Sequence, residues 1–527
     1  MTARQGFIFL STAALILLAV WTTMWPPAVW LFIAVWPVII LGIYDMTQRK
    51  HTILRLYPVA GHFRFVFESV RKEIQQYFVE SDIDGRPVAR EFRSLVYQRA
   101  KGDRDTRPFG TVFDLYREGC EWINHSLAPR EIAEHNPRIV FGEKNCKQPY
   151  AAAPLNISAM SFGALSKNAI MALNKGAKLG GFAHNTGEGG LSPYHLKYGG
   201  DIVWQIGTGY FGCRSEEGGF DADKFEKSAC LPVVKMIEIK LSQGAKPGHG
   251  GILPAAKLTE EIAAIRHVPM GQDVVSPPAH TSFDSPIGLL QFVAQLRELS
   301  GGKPVGFKLC IGNRSEFLAI CKAMLESGIT PDFITIDGSE GGTGAAPVEL
   351  TNSVGTPLRD ALVFVNRALI GIGLRDDICL IASGKAFSAF HVIRLLALGA
   401  DTVNSARAMM FALGCIQSRS CNTDKCPTGI ATQDPARSQA LDVDDKARRV
   451  YNYQREMVAN LLEVLAAAGL ERLEDLRPRH INHRVSGPVV RNYDEMYPTI
   501  PAGCLLAESS IPEQWRSYWE LANAHTW

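Results

Sequence analysis

Between Arg4 and Asp45 the chain carries no charged residue at all. A soluble surface helix would not tolerate that gap. Over the whole chain there is no charge excess either: 55 Lys and Arg face 53 Asp and Glu, a net charge of +2. Nothing in that balance points to a nucleic-acid binder. Cysteine is sparse, eleven in 527 residues, which is no disulfide framework. No Cys-x2-Cys pair is present, and the histidine nearest to Cys415 is His391, so zinc fits poorly. A nicotinamide fingerprint is absent as well. Gly207-Thr-Gly-Tyr-Phe-Gly212 has the spacing, but Cys213-Arg-Ser-Glu-Glu-Gly-Gly219 is a poor first helical turn.

The uncharged stretch divides into apolar runs at 6–24 and 28–44, of 19 and 17 residues, around Trp25-Pro26-Pro27. Each approaches the roughly 17–25 residues that cross a bilayer, and the Pro pair suits a tight turn. Trp21, Trp25, Trp30 and Trp36 are interfacial anchors. Arg4 precedes the runs; Arg49, Lys50, His51 and Arg55 follow them. Basic flanks with none in the turn put both ends in the cytoplasm, with the hairpin in the inner or plasma membrane. A cleaved signal peptide is the rival, disfavoured by the second run and the lack of a small-residue cleavage site. The expected partition is a hairpin at 1–46, a cytoplasmic lead-in at 47–150, a barrel at 151–435 and a helical extension at 436–527. Within the lead-in, 66–78 has helical periodicity.

From Ala151 short apolar runs end in glycine or polar residues. They lie at 155–159, 182–184, 236–241, 273–275, 305–309, 333–336, 379–382 and 402–404. Helical stretches intervene at 166–179, 286–299, 316–327 and 387–398. Such alternation predicts an α/β fold, a (β/α)8 TIM barrel with chemistry just after each strand. A long helix is expected over 436–468, then an irregular, Pro-rich end.

Cys415, Cys421 and Cys426 fall within twelve residues. One short loop carrying several thiolates suits an iron–sulfur cluster. Three ligands suit a three-iron cluster, or a four-iron one with a ligand from elsewhere; structural thiols are the plain alternative. Gly341-Gly-Thr-Gly344, Ser383-Gly-Lys385 and Ser405-Ala-Arg407 follow the sixth, seventh and eighth predicted strands. Glycines there let backbone N–H groups reach a phosphate, with Lys385 or Arg407 to neutralise it. Lys240 and Lys246 end the predicted third strand, where two ammoniums can hold a small dianion. Lys246 is the candidate proton donor, since burial lowers a lysine's pKa. Glu188, in a glycine loop, can pair with a lysine; His184 reads as a satisfied core histidine.

Together, Pro154-Leu-Asn-Ile-Ser-Ala-Met-Ser-Phe-Gly163, Asn185-Thr-Gly-Glu-Gly-Gly190, Glu238-Ile-Lys-Leu-Ser-Gln-Gly-Ala-Lys246, Gly341-Gly-Thr-Gly-Ala345 and Cys421-Asn-Thr-Asp-Lys-Cys-Pro427 closely resemble the synthase domain of glutamate synthase. The resemblance covers about 150–435. It implies FMN in the barrel and a 3Fe-4S cluster beside it. The implied reaction joins 2-oxoglutarate and ammonia to 2-iminoglutarate, which reduced flavin converts to L-glutamate. It further implies FMN contacts at Ser158, Ala159, Met160, Ser161 and Lys308. The phosphate would lie at Gly342, Thr343, Gly344, Gly384 and Ala406. Substrate contacts fall on Lys240, Gln243 and Arg266, with Lys246 and Glu188 catalytic and Cys415, Cys421 and Cys426 on the cluster. Ile252 stands where the family has a glutamine, and His249 where it commonly has a glutamate. Both put the 2-oxo acid or the amine in question. The implied partners are a ferredoxin or reductase subunit as electron donor and a separate glutamine amidotransferase. The alternatives are an enzyme like N-methylglutamate synthase using another amine, and a membrane-bound electron carrier without synthase activity.

Overall fold

The computed structural model describes residues 2–527. They form two compact units that divide after Arg90.

In the first unit, α1 (Ala3–Met24) starts at a capping box between Thr2 and Gln5. Pro26 and Pro27 open a short 3-10 turn that leads into α2 (Phe32–Thr47). Proline suits that entry because its missing N–H would be unpaired there anyway. Ala3–Met24 and Pro26–Thr47 are each 22 residues and apolar enough to cross a membrane. Asp45, fully buried near the end of α2, accepts hydrogen bonds from the Val59 N–H (2.9 Å) and His62 Nε2 (2.9 Å). The helix expected over 66–78 is instead broken: α3 (Gly61–Ser69), a turn at Arg71–Ile74 and a π-helical turn at Gln75–Val79.

The second unit holds a closed, parallel, eight-stranded barrel. Its strands are β1 (Leu155–Ile157), β2 (His184–Asn185), β3 (Ile202–Ile206), β4 (Val234–Lys240), β5 (Val305–Leu309), β6 (Phe333–Asp337), β7 (Cys379–Ser383) and β8 (Thr402–Ser405). Closure sets Val403 opposite Leu155 and Ser405 opposite Ile157. Seven of the eight expected strands are in the barrel; one is not, and a strand that was not expected takes its place in the barrel. Residues 273–275 are not in the barrel; Val274–Val275 pairs antiparallel with Ile252–Leu253 in the insertion after β4. The missing strand is β3, buried at every position. The loop of Lys240 and Lys246 therefore follows the fourth strand, not the third.

Beneath the barrel an antiparallel pair, Ile139–Phe141 with Tyr150–Ala152, drives Phe141 edge-on to Phe333, with centroids 5.7 Å apart. Inside, Glu238 accepts from Asn185 Nδ2 (2.8 Å), Gln205 Nε2 (2.6 Å) and Thr335 Oγ1 (2.7 Å). That polar layer satisfies a carboxylate which could not otherwise be buried. His184 is buried in the core, but neither ring nitrogen has a hydrogen-bond partner among the described residues. Its ring lies tilted against that of His195, with centroids 5.3 Å apart, and burial lowers its pKa to about 3.

On the outside, α4 (Lys167–Gly180) packs on α5 (Val443–Ala467). The contact is close because Gly176 lacks a side chain: a Cβ there would sit 2.8 Å from the Ala447 carbonyl oxygen. The single long helix expected at 436–468 is interrupted, since Asp442 caps a new start by accepting from the Asp445 N–H at 2.7 Å. The end expected to be irregular contains a hairpin, Ile481–Ser486 with Val489–Asn492, which pairs with Glu121–Ile123. Buried Glu121 sits at the join. It bonds Arg359, Arg394 (2.5 Å), Tyr493 (2.6 Å) and His483 (3.1 Å), tying three distant segments together.

Candidate active site

One cavity opens at the C-terminal ends of the barrel strands, where this fold places its chemistry. Ser158, Ala159, Met160 and Ser161 line it after β1, and Lys308 comes from β5. Gly342, Thr343, Gly344, Gly384 and Ala406 line it from the loops after β6, β7 and β8. Glu188, Gln243, Lys246, Arg266 and Cys421 also face it. Lys240 lies just behind, bonded to Glu188 (2.8 Å) and Gln243 (2.6 Å). Cys415 and Cys426 are not part of the lining.

Glycines make room for Glu188. A Cβ on Gly251 would lie 2.4 Å from its carboxylate, and one on Gly207 2.8 Å from its Cβ. Burial favours the neutral acid, but Lys240, Lys246 and Arg266 outweigh it and hold the pKa at about 2. Glu188 is therefore a fixed anion. Burial, with Lys308 and Lys246 nearby, lowers Lys240 to about 8 although Glu188 opposes. Burial likewise lowers Lys246, against the pull of Glu188. Arg266 is lowered to about 10 by burial, also against Glu188. It donates to the Phe162 carbonyl (3.1 Å) and covers the Phe211 ring at 5.0 Å.

Lys246 is delivered by a constrained loop. The Gly244 N–H donates to Asp337 Oδ2 (3.0 Å), and a Cβ on Gly244 would meet the Gly338 carbonyl oxygen at 1.8 Å. Next to it Ala245 is left-handed, with φ of 67°. Its N–H donates to Ser339 O (3.0 Å) and its carbonyl accepts from Thr351 (3.0 Å). A non-glycine residue held there marks a loop whose shape is imposed by its surroundings.

At the glycine loops the cavity has the form of an anion cradle. A Cβ on Gly342 would strike the Arg407 guanidinium at 2.3 Å, and buried Arg407 Nε has no hydrogen-bond partner among the described residues. Glycine backbone and an unsatisfied guanidinium fit a phosphate group.

The cysteine loop is wired to this cavity by Lys257, a residue that sequence reading missed. Its buried ammonium donates to the carbonyls of Ala164 (2.5 Å), Ala431 (3.2 Å) and Cys421 (3.3 Å). Gln417, Arg419 and Asp424 are all left-handed, as a tightly coiled loop requires. Burial raises Cys415 to about 11, with Cys421 and Cys426 adding to it, so the three thiols lie within electrostatic reach. Burial also raises Cys421. Cys426 is lowered: Thr428 and the backbone around Ala431 donate to its sulfur and outweigh burial. That donor set suits thiolate ligands. The side chains do not form a closed metal-ion group among the described residues.

Comparison with known proteins follows the same lines. The conserved region of glutamate synthase matches residues 110–471. The glutamate synthase large subunit-like protein YerD of Bacillus subtilis is 38% identical over 495 residues, 86% of this chain and 94% of that protein. An archaeal glutamate synthase [NADPH] of Methanocaldococcus jannaschii is 39% identical over 325 residues, 62% of this chain and 60% of that protein's length. Among solved structures, a mandelate oxidase variant with benzaldehyde aligns over 74% of this chain and 97% of its own, at 16% identity and a TM-score of 0.43. The family match covers most of the chain and takes in the whole barrel, so the chain belongs to the glutamate synthase family of oxidoreductases.

Proposed function

We propose that the barrel binds FMN and that the chain makes L-glutamate from 2-oxoglutarate and ammonia. The observation that carries this reading is the charge inside the cavity region. Four buried cations, Lys240, Lys246, Arg266 and Lys308, face two carboxylates, Glu188 and Asp337. The excess positive charge matches a small dianion.

FMN, when bound, supplies the hydride. Its phosphate would be held by Gly342, Thr343, Gly344, Gly384 and Ala406 with Arg407, and its ring by Ser158 to Ser161 and Lys308. Arg266 and Gln243 orient the substrate carboxylates. Glu188, anionic at neutral pH, faces the carbon where positive charge accumulates in an iminium. Lys240 is engaged with Glu188 and Gln243. Lys246 feels Glu188 only through space, so its proton remains available to the substrate.

We assign Cys415, Cys421 and Cys426 to a 3Fe-4S cluster that accepts electrons from a ferredoxin or reductase subunit. A separate glutamine amidotransferase can supply ammonia. Cys421→Ser is expected to abolish the cluster's visible absorbance and spin signal while FMN stays bound. Retention of both signals would remove the ligand assignment. The two N-terminal helices we place in the membrane, with the barrel on the cytoplasmic side.

A second reading is favoured by Ile252, whose side chain lines the cavity beside Leu253 and Pro254. An apolar wall there accommodates the methyl group of methylamine, as an enzyme like N-methylglutamate synthase requires. One experiment separates the readings: single-turnover oxidation of the reduced flavin by 2-oxoglutarate with ammonia, with methylamine, or with other 2-oxo acids. Fastest oxidation with ammonia supports the first reading, and fastest with methylamine the second. No oxidation by any pair would overturn both and leave an electron carrier.

A further inference from the structure

We propose that residues 61–79 form an amphipathic segment that lies on the surface of an anionic lipid bilayer, next to the hairpin. The inference rests on the hairpin being in the membrane, and adds to it a second, peripheral contact.

Although Phe65, Val66 and Val79 are exposed off the spacing, six apolar side chains here fall at steps of three or four residues: Phe63, Phe67, Val70, Ile74 and the Tyr77–Phe78 pair. That spacing gathers them on one side of a helical path through α3 and the two turns after it. None of them finds a core. Phe63 is 62% exposed, Phe67 63% and Phe78 85%. Monomeric soluble proteins do not leave so many large apolar groups in water without a partner for them.

Charge identifies the partner. Residues 61–79 hold three Lys and Arg against two Glu, with Arg64 and Glu68 paired at 3.0 Å, and residues 48–60 just before them add Arg49, Lys50 and Arg55 with no acidic residue. Arg64, Arg71 and Lys72 are exposed and alternate with the apolar stripe. Aromatic and aliphatic groups on one face with basic residues beside them are what an anionic headgroup layer attracts. Long basic side chains can rise to the headgroups while their stems stay in the apolar zone.

Position agrees with chemistry. α2 ends at Thr47, and Asp45 in its last turn holds Val59 and His62 through the bonds already described. Those bonds hold the start of α3 to the end of the membrane hairpin, where the headgroups begin.

The test uses the full chain reconstituted in phosphatidylcholine vesicles with or without phosphatidylglycerol. Each contains a phospholipid carrying a photoreactive diazirine near its headgroup, and adducts are mapped by peptide mass spectrometry. Adducts are expected in both 3–47 and 61–79, and those in 61–79 should rise several-fold with phosphatidylglycerol. Replacing Phe63, Phe67 and Phe78 together by serine should cut the 61–79 adducts several-fold and leave those in 3–47 unchanged. These side chains are exposed, so flavin content should not change. Labelling of 3–47 without 61–79 would overturn the proposal alone, as would crosslinking of 61–79 to a second copy or to residues 91–527. Equal labelling in both vesicles would overturn the anionic partner. Labelling of neither segment would overturn the hairpin reading and this one with it.

Discussion

Lys246→Ala is expected to slow flavin reoxidation by 2-oxoglutarate and ammonia about 10²–10³-fold, ~2–4 kcal/mol of transition-state stabilisation. Lys246 is 3% exposed in the cavity and faces Glu188 without being paired to it. In the proposed reaction, removing it takes away a positive charge and a proton from the place where electron density builds on the substrate. FMN and iron content should be unchanged, because neither proposed cofactor site includes this residue. Lys246→Arg should recover only part of the rate: a guanidinium keeps the charge but does not give up its proton. Burial lowers the pKa of Lys246, so the wild-type rate should fall as pH rises through that lowered value, and Lys246→Arg should lose this alkaline limb. A Lys246→Ala rate within a few-fold of wild type would remove the residue from the mechanism and favour the electron-carrier alternative.

Glu121→Ala is expected to destabilise the second unit by about 3 kcal/mol, because removing one partner of a buried ion network leaves the others uncompensated. Glu121 is nearly enclosed, and it receives Arg359, Arg394, Tyr493 and His483 from three other segments. Burial acts to raise its pKa, but Arg394, Arg359 and the Tyr493 hydroxyl dominate and hold it at about 2, against an ordinary 4.5. The folded pKa is depressed, so the contribution is full above the unfolded value and is lost as pH falls from 4.5 towards about 2. Urea midpoints of wild type and Glu121→Ala should therefore differ most near neutrality and converge in acid. Glu121→Gln should cost less, since its amide oxygen still accepts from Tyr493. A midpoint difference that does not change with pH would refute the electrostatic account.

Much of the barrel was legible in sequence, and the two errors have a common cause. Ile202–Ile206 escaped notice because a parallel barrel strand is buried on both faces and shows no alternation. Gln205, next to its last residue, makes it look less like a core strand, although that residue serves Glu238 inside the barrel. Residues 273–275 look like a strand and are one, but only two residues pair, with Ile252–Leu253 outside the barrel. Local pattern reports extended backbone; it does not say which sheet receives it.

The sequence by itself determined the apolar hairpin, the strand–helix alternation, the cysteine loop and the residue types that meet at the barrel mouth. Each of these is a periodicity or a short spacing, which the covalent chain carries directly. Only the tertiary structure decided that Lys240 is bonded to Glu188 while Lys246 meets it only through space, since the two lysines lie within seven residues of each other in sequence. It alone revealed Lys257, whose three acceptors are backbone carbonyls on two distant loops. Carbonyl groups are the same at every residue, so nothing in the side-chain sequence could single those three out. The same holds for Glu121, whose partners lie 238 to 372 positions further along. Folding brings them together, and burial gives their charges the strength that water would have screened.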